Sequence, residues 1–221
     1  MKKQILLFAL LVISYAGFSQ STISGGIRAG ISSSGMRGDA VDNLHNLLDF
    51  TNGAITTSGH TGFFAGANVS IPVSDLVSIE PGLYYSQKGY EMKGELGLKG
   101  VEFLGANAKA KLLSTYVDLP VLLKVNINGF QVFAGPQISY LAKADLKTTA
   151  GLLGFNLLNK TMDATDQFNR WDAAVTGGVG YQFPGGFNIS ASYDHGLSKV
   201  DANQNMESYN NSFKVGIEYS F

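Results

Sequence analysis

The sequence predicts an all-β fold, an eight-stranded antiparallel up-and-down transmembrane β-barrel, and three observations carry that prediction. The last eleven residues, from Asn211 to Phe221, alternate strictly. Phe213, Val215, Ile217, Tyr219 and Phe221 fall on one side, and Lys214, Gly216, Glu218 and Ser220 on the other. Period two is the repeat of a strand with two chemically different faces. Seven further stretches alternate in the same way, each long enough for the ~9–11 residues that cross a bilayer at a tilt. The segments joining them are short and long by turns, as in a barrel with tight turns on one rim and loops on the other.

The first strand is predicted near Thr22–Ser32, with Ile23, Ile27, Ala29 and Ile31 against Ser24, Gly26, Arg28 and Gly30. The second, near Thr61–Val73, sets Phe63, Ala65, Ala67, Val69 and Ile71 against Phe64, Gly66, Asn68 and Ser70. The third, near Leu76–Lys88, sets Val77, Ile79, Leu83 and Tyr85 against Ser78, Glu80, Gly82 and Tyr84. In the fourth, near Leu113–Asn126, Val117, Leu119, Val121, Leu123 and Val125 oppose Tyr116, Asp118, Pro120 and Lys124; Leu122 breaks the polar face.

The fifth strand, near Phe130–Leu141, opposes Val132, Ala134, Ile138 and Tyr140 to Gln131, Gly135, Gln137 and Ser139, with Phe133 out of pattern. The sixth, near Arg170–Phe183, carries Trp171, Ala173, Val175, Val179, Tyr181 and Phe183 over Asp172, Thr176, Gly178, Gly180 and Gln182. The seventh, near Phe187–Leu197, places Phe187, Ile189, Ala191 and Tyr193 against Asn188, Ser190, Ser192 and Asp194. The C-terminal strand is the eighth.

Turn chemistry separates these strands in pairs. Ser74-Asp75, Asn128-Gly129 and Pro184-Gly185-Gly186 are hairpin connections after strands two, four and six. The long connections are Ser33–His60, Gly89–Lys111, Ala142–Asn169 and Ser198–Asn210. An even strand count puts both termini on the short-turn side. The 27 glycines fit tightly bent strands, and the mean hydropathy of +0.08 is what alternating faces average to. With no cysteine in the chain, disulfides and thiolate metal sites are excluded.

Residues 1–19 read as a cleaved signal peptide, and residues 20–221 as the barrel domain. Lys2 and Lys3 precede the apolar run Ile5 to Ile13, and Gly17-Phe18-Ser19, with Gly17 and Ser19 as its small residues, supplies a cleavage site. Cleavage after Gln20 fits almost as well. The apolar run is too short for a spanning helix, which needs roughly 20 residues. The formal charge is −1, becoming −3 once Lys2 and Lys3 are removed, so no basic stripe invites a nucleic-acid partner. An exported barrel of this kind is expected as an integral protein of a bacterial outer membrane, with lipids and the barrel-assembly machinery as its partners.

The polar face must point into the barrel, which at eight strands is filled by side chains. Arg28, Glu80, Asp118, Lys124, Asp172, Lys214 and Glu218 fall there, both signs together. An interior network of ion pairs is the expectation, since an unpaired buried charge is costly. A proton or ion path is the functional alternative. Phe130, Tyr181, Phe183, Phe187, Tyr219 and Phe221 are expected to form an interfacial girdle at the short-turn rim, the alternative being a soluble core. Tyr219 and Phe221 end the chain as its insertion signal.

Tyr116 to Lys124 reads Y-V-D-L-P-V-L-L-K, and Phe133 to Tyr140 reads F-A-G-P-Q-I-S-Y. Glu80 to Gly89 reads E-P-G-L-Y-Y-S-Q-K-G, and Trp171-Asp172 opens a strand running to Gly180. These segments resemble the PorT-like outer-membrane β-barrel proteins of Bacteroidota, over essentially the whole mature chain apart from the loops. The resemblance implies the barrel. One member of that wider family acts in protein secretion and gliding, which makes an accessory role in a secretion system an alternative by analogy.

Catalysis is not expected. His45 and His60 belong to the first loop, and Ser192, Asp194, His195 and Ser198 crowd near the end of strand seven. Neighbours on a strand face opposite sides, so Asp194 and His195 cannot share one site without a bulge. Asp163, Asp166 and Asp172 lack metal-ligand spacing, and Gly25-Gly26 and Gly177-Gly178 precede no helix that could cradle a phosphate. No cofactor or metal is expected. The loops carry apolar groups: Val41, Leu44, Leu47 and Leu48; Leu96, Leu98, Val101, Phe103 and Leu104; Leu152, Leu153, Phe155, Leu157 and Leu158. They extend strands or pack on each other, or else they offer a sticky surface to a partner. The expected function is a non-enzymatic outer-membrane barrel with a plugged polar interior, structural or partner-binding through its loops. A soluble lipocalin-like carrier of a small apolar ligand is the alternative, and it requires an apolar interior.

Overall fold

The computed structural model describes residues 23–38, 55–96, 106–152, 155–201 and 207–221. Its strands are β1 (Ser24–Arg37), β2 (Ile55–Pro72), β3 (Val77–Leu96), β4 (Ala106–Ile127) and β5 (Phe130–Leu152). They continue as β6 (Phe155–Asp163), β7 (Trp171–Gln182), β8 (Phe187–Gly196) and β9 (Tyr209–Ser220). Every pairing is antiparallel, and the order β4-β3-β2-β1-β9-β8-β7-β5 closes through a β4–β5 ladder into a ring of eight. Closure joins the first described strand to the last. The Gly25 N–H donates to the Phe221 carbonyl at 3.0 Å, and the Phe221 N–H donates to that of Gly25 at 2.8 Å.

β6 is not a member of the ring. It pairs with the upper half of β5, from Asp145 to Leu152, where β7 no longer reaches. The segments expected as long loops after strands three and five are therefore largely strand, and strand one runs on to Arg37. Above the ring, β2 to β6 rise as a wall on one side of the barrel.

Two irregularities explain why the alternation faded there. On β5, Leu141 pairs with Tyr116 and Lys143 with Thr115, so Ala142 is an extra residue. A bulge of this kind reverses which positions face out. On β2, an extra residue between Gly59 and Phe64 does the same. The tight turns follow the expected chemistry. Asn128 and Gly129 both have positive φ, 53° and 89°, as a two-residue type I′ hairpin requires.

The barrel is inverted relative to a water-soluble one. Ile217 is 66% exposed and its neighbour Glu218 only 3%. Ile27, Ile31, Leu83, Leu123, Ile138 and Val175 also point outward. An apolar exterior this continuous is suited to lipid. The soluble-core alternative for the aromatic residues fails on it, since Phe130, Phe187, Tyr219 and Phe221 are all exposed around the short-turn rim. A second girdle, not anticipated from sequence, circles the other boundary. It includes the stacked pair Phe63–Tyr85 and the edge-on pair Tyr140–Trp171, with Tyr193 and Phe213 completing the belt.

Large side chains fill the interior where glycines make room. Gly30 and Gly216 face each other across β1 and β9. A Cβ added at either would lie 2.8 Å and 2.7 Å, respectively, from the ring of Phe64. Phe133 lies in the same way against Gly178. Phe133, out of pattern in the sequence, is thus an interior residue, as are Phe64 and Leu122. The signal segment, His45, and the loop residues 41–48 and 98–104 lie outside the described residues.

Candidate functional site

All seven residues placed on the polar face by sequence, Arg28, Glu80, Asp118, Lys124, Asp172, Lys214 and Glu218, are buried inside the barrel. Strand pairing brings them together in two groups. In the first, Arg28 of β1 stands directly opposite Glu218 of β9. Its Nε donates to Glu218 Oε2 at 2.6 Å, and its second nitrogen reaches Glu80 Oε1 at 3.0 Å. Lys124 of β4 pairs with the other oxygen of Glu80. Two cations and two carboxylates cancel. The Arg28 guanidinium also lies 6.0 Å from the Tyr84 ring and 5.7 Å from that of Phe133.

The second group gathers around Asp118 of β4, which Lys88 approaches at 3.4 Å and Lys214 at 3.1 Å. Ser86 donates to the same carboxylate at 2.7 Å. Lys214 reaches Asp194 at 2.7 Å, and Thr176 donates to Asp194 at 2.8 Å. Asp172 lies 3.9 Å from Lys88 and accepts from Ser198 at 2.7 Å and Asn210 at 2.8 Å. Asp172 therefore belongs to the interior. This group holds one carboxylate more than it has cations, and neutral donors share the excess.

Other layers stand around these groups. A cavity of about 30 Å³ lies between them, lined by Phe64, Tyr84, Leu122, Phe133 and Thr176 among others. It is roomy enough for water, which needs about 10–15 Å³. Toward the short turns, Asn126 donates to Gln182 at 2.7 Å and Gln131 to the same oxygen at 3.3 Å. At the opposite end, Leu112, Tyr116, Leu141 and Ala144 form an apolar cluster with Met36 and Phe168 packed on it. The Lys88 ammonium lies 4.5 Å over the Tyr116 ring.

Sequence reading missed Lys88 and did not count Asp194 with the interior set. Both were detectable by parity. Lys88 is in phase with Glu80 and Tyr84, and Asp194 with Asn188 and Ser190. The hydrolase-like grouping does not assemble. Asp194 is buried and His195 exposed on the opposite face, while the Ser198 hydroxyl is given to Asp172. The His195 Nε2 instead meets Arg37 at 2.9 Å, and Arg37 lies 4.9 Å over the Tyr209 ring.

Outside the barrel, Asp163 accepts from the hydroxyl of Thr165 and, at 2.9 Å, from its N–H. These bonds hold the carboxyl of Asp163 below the usual carboxylate range. Asp166 pairs with Arg170 at 2.8 Å. Among the described residues, His, Cys, Asp and Glu nowhere gather in threes suited to a metal.

The polar interior and apolar exterior agree with one family match. A family model described as the outer membrane protein beta-barrel domain matches residues 15–202. Among solved structures, Ail of Yersinia pestis in complex with the heparin analogue sucrose octasulfate is similar at TM-score 0.47 and 14% identity, over 91% of this chain and 100% of that one. Neisserial surface protein A is similar at 0.46 and 12%, with the same coverage. OprG of Pseudomonas aeruginosa is similar at 0.40 and 15%, over 90% and 95%. No curated protein matches. The family match spans most of the chain and agrees with the inverted ring: this chain belongs to the outer membrane protein beta-barrel domain family of the bacterial outer membrane.

Proposed function

We propose that the protein is a non-enzymatic integral barrel of the outer membrane, exported behind a cleaved signal peptide. Its interior is plugged, and its role is structural or partner-binding. The observation that carries this reading is the pairing of interior charge: Arg28, Lys88, Lys124 and Lys214 each lie within ion-pair distance of a buried carboxylate. A conducting lumen would keep such groups hydrated and apart. The wall formed by β2 to β6 is the surface that a partner in the surrounding medium would meet. The segments 80–89, 116–124, 133–140 and 171–180 support a PorT-like assignment. The exposed Tyr219 and Phe221 suit recognition by the assembly machinery.

The test has two parts. Protein from the outer-membrane fraction is run unboiled and boiled on a gel, and a shift between the two is expected for a closed barrel. The same protein in planar bilayers is expected to give no steady single-channel conductance. A soluble periplasmic chain without a shift would reject the membrane reading, and a reproducible conductance would reject the plug.

A further inference from the structure

The outward face of the wall carries a row of charged and polar groups beyond the second girdle. Across β3 to β6, Glu91 is opposite Lys111, Lys111 opposite Lys147, and Lys147 opposite Thr161. His60 of β2 lies beside the row, packed over Gly89. The face is the outward one on two counts. Lys109 and Lys111 continue the parity of Val117, Leu119 and Val121 on β4, and the bulge at Ala142 turns Lys143, Asp145 and Lys147 to the same side of β5.

The carboxylates here are engaged elsewhere. Glu91 holds Lys109 at 2.9 Å, Asp145 holds Lys143 at 2.8 Å, and Asp163 accepts from Thr165. Lys111 and Lys147 are left facing each other with no carboxylate at ion-pair distance among the described residues. Like charges directly opposite on neighbouring strands destabilise a sheet. The field of Lys111 also reaches His60, whose pKa is lowered chiefly by desolvation and next by that lysine. An anion bridging the two ammonium groups would remove the repulsion.

What surrounds the pair narrows the anion. The same face continues downward into Val117, Tyr140 and Trp171, which are membrane-facing. Lys143 follows Tyr140 by three residues and Lys147 by seven. With ~3.3 Å per residue and a tilt of ~40°, Lys147 stands about 15 Å beyond the girdle. Between and beside the cations are neutral hydrogen-bonding groups, Gln87, Thr115, Thr149, Asn159 and Thr161. A pair of cations this far out, flanked by amides and hydroxyls above an apolar barrel face, suits an amphiphile with a tall, phosphorylated sugar head.

We propose that Lys111 and Lys147 form a binding site for the phosphorylated saccharide of an outer-leaflet glycolipid whose acyl chains lie against the apolar barrel face below. The site rests on the membrane reading given above. The Lys111–Lys147 pair clamps the phosphate, well beyond the acyl chains.

The test uses the full-length protein in phosphatidylcholine nanodiscs doped with phosphorylated lipopolysaccharide, with bound glycolipid read by native mass spectrometry. Parallel samples use the same glycolipid after phosphatase treatment, and its deacylated, soluble saccharide. The double variant K111Q/K147Q is expected to retain about tenfold less glycolipid or lower. The dephosphorylated lipid is expected to fall as far with the unaltered protein. K160Q, on the opposite face of β6, is expected to change nothing. Equal retention by K111Q/K147Q, or equal binding of the dephosphorylated lipid, would overturn the site. Binding of the soluble saccharide as tight as that of the intact lipid would overturn the glycolipid assignment in favour of a free polyanion. Heat-modifiability is recorded on each sample. A shift with unchanged retention rejects the site alone, and a missing shift in the unaltered protein rejects the membrane reading and the site with it.

Discussion

Arg28 and Glu218 stand directly opposite each other on the first and last strands, 190 residues apart in sequence and joined by a hydrogen bond of 2.6 Å. The pair lies across the seam where the ring closes, and both partners are buried. A buried ion pair adds little net stability over apolar residues of the same size, but breaking one leaves a charge that neither water nor protein compensates.

Removing Arg28 alone should therefore be costly. Arg28→Ala leaves Glu80 and Glu218 sharing only Lys124, and a loss of about 3–5 kcal/mol is expected. Arg28→Met combined with Glu218→Met should recover most of it. Urea unfolding of the reconstituted barrel, followed by its heat-modifiable band, reads both. An unchanged midpoint for Arg28→Ala would mean that the pair does not hold the seam.

Two adjacent glycines on β7 give a controlled test of interior packing. An added Cβ at Gly178 would lie 2.6 Å from the Phe133 ring, whereas one at Gly177 meets nothing within 4 Å. Gly178→Ala is expected to cost about 1–3 kcal/mol, the usual range for overpacking. Gly177→Ala should be neutral or mildly stabilising. Equal effects at the two positions in the same unfolding assay would contradict the packing described.

The turn after β6 should respond to acid. Asp163 has its pKa lowered by the Thr165 hydroxyl and N–H, so its carboxylate form favours the folded turn. That contribution is complete above the ordinary Asp pKa of about 3.9 and is lost as pH falls through the lowered value. The Ala144 N–H, which donates to Thr165 Oγ1 at 3.0 Å, reports on the turn. Its exchange protection should weaken only below the ordinary carboxylate range, and Asp163→Asn should weaken it at every pH. Protection independent of both changes would show that the turn holds without the carboxylate.

His195 offers a test of the non-enzymatic reading. With Asp194 turned inward and Ser198 bonded to Asp172, His195 meets Arg37 and lies beside the Tyr193 ring. His195→Ala should leave the lipid profile of the membrane unchanged. Any lipid modification that depends on His195 would overturn the non-enzymatic reading.

The ring itself was legible because lipid outside and a side-chain-filled lumen inside impose period two on every spanning strand. Ile217 and Glu218, adjacent in the chain, could not both satisfy one environment. Legibility failed where that double constraint ends. Beyond Tyr140 neither face of β5 is in lipid, and Ala142 shifts the parity, so Leu146 and Lys147 carry no recognisable alternation. β6 was invisible as a strand for the same reason, since its partner is only the emergent half of β5. Lys88 was overlooked because it sits at the edge of the third alternating stretch, although its salt bridge to Asp118 lies at the centre of the lumen. Which carboxylate each cation would choose depends on register across strands, and no single strand contains that information.

The bonds between Gly25 and Phe221 also set an order of events. β1 has β2 beside it early in synthesis, but its other neighbour, β9, is made only after every other strand of the ring. Until Phe221 is available, β1 carries an unpaired edge, and Arg28 lacks the partner that faces it across the seam. Contacts this distant in sequence are slow to form, and open strand edges recruit other chains. A chain lacking β9 is thus not a smaller barrel but an unfinished one, dependent on whatever holds it soluble in transit.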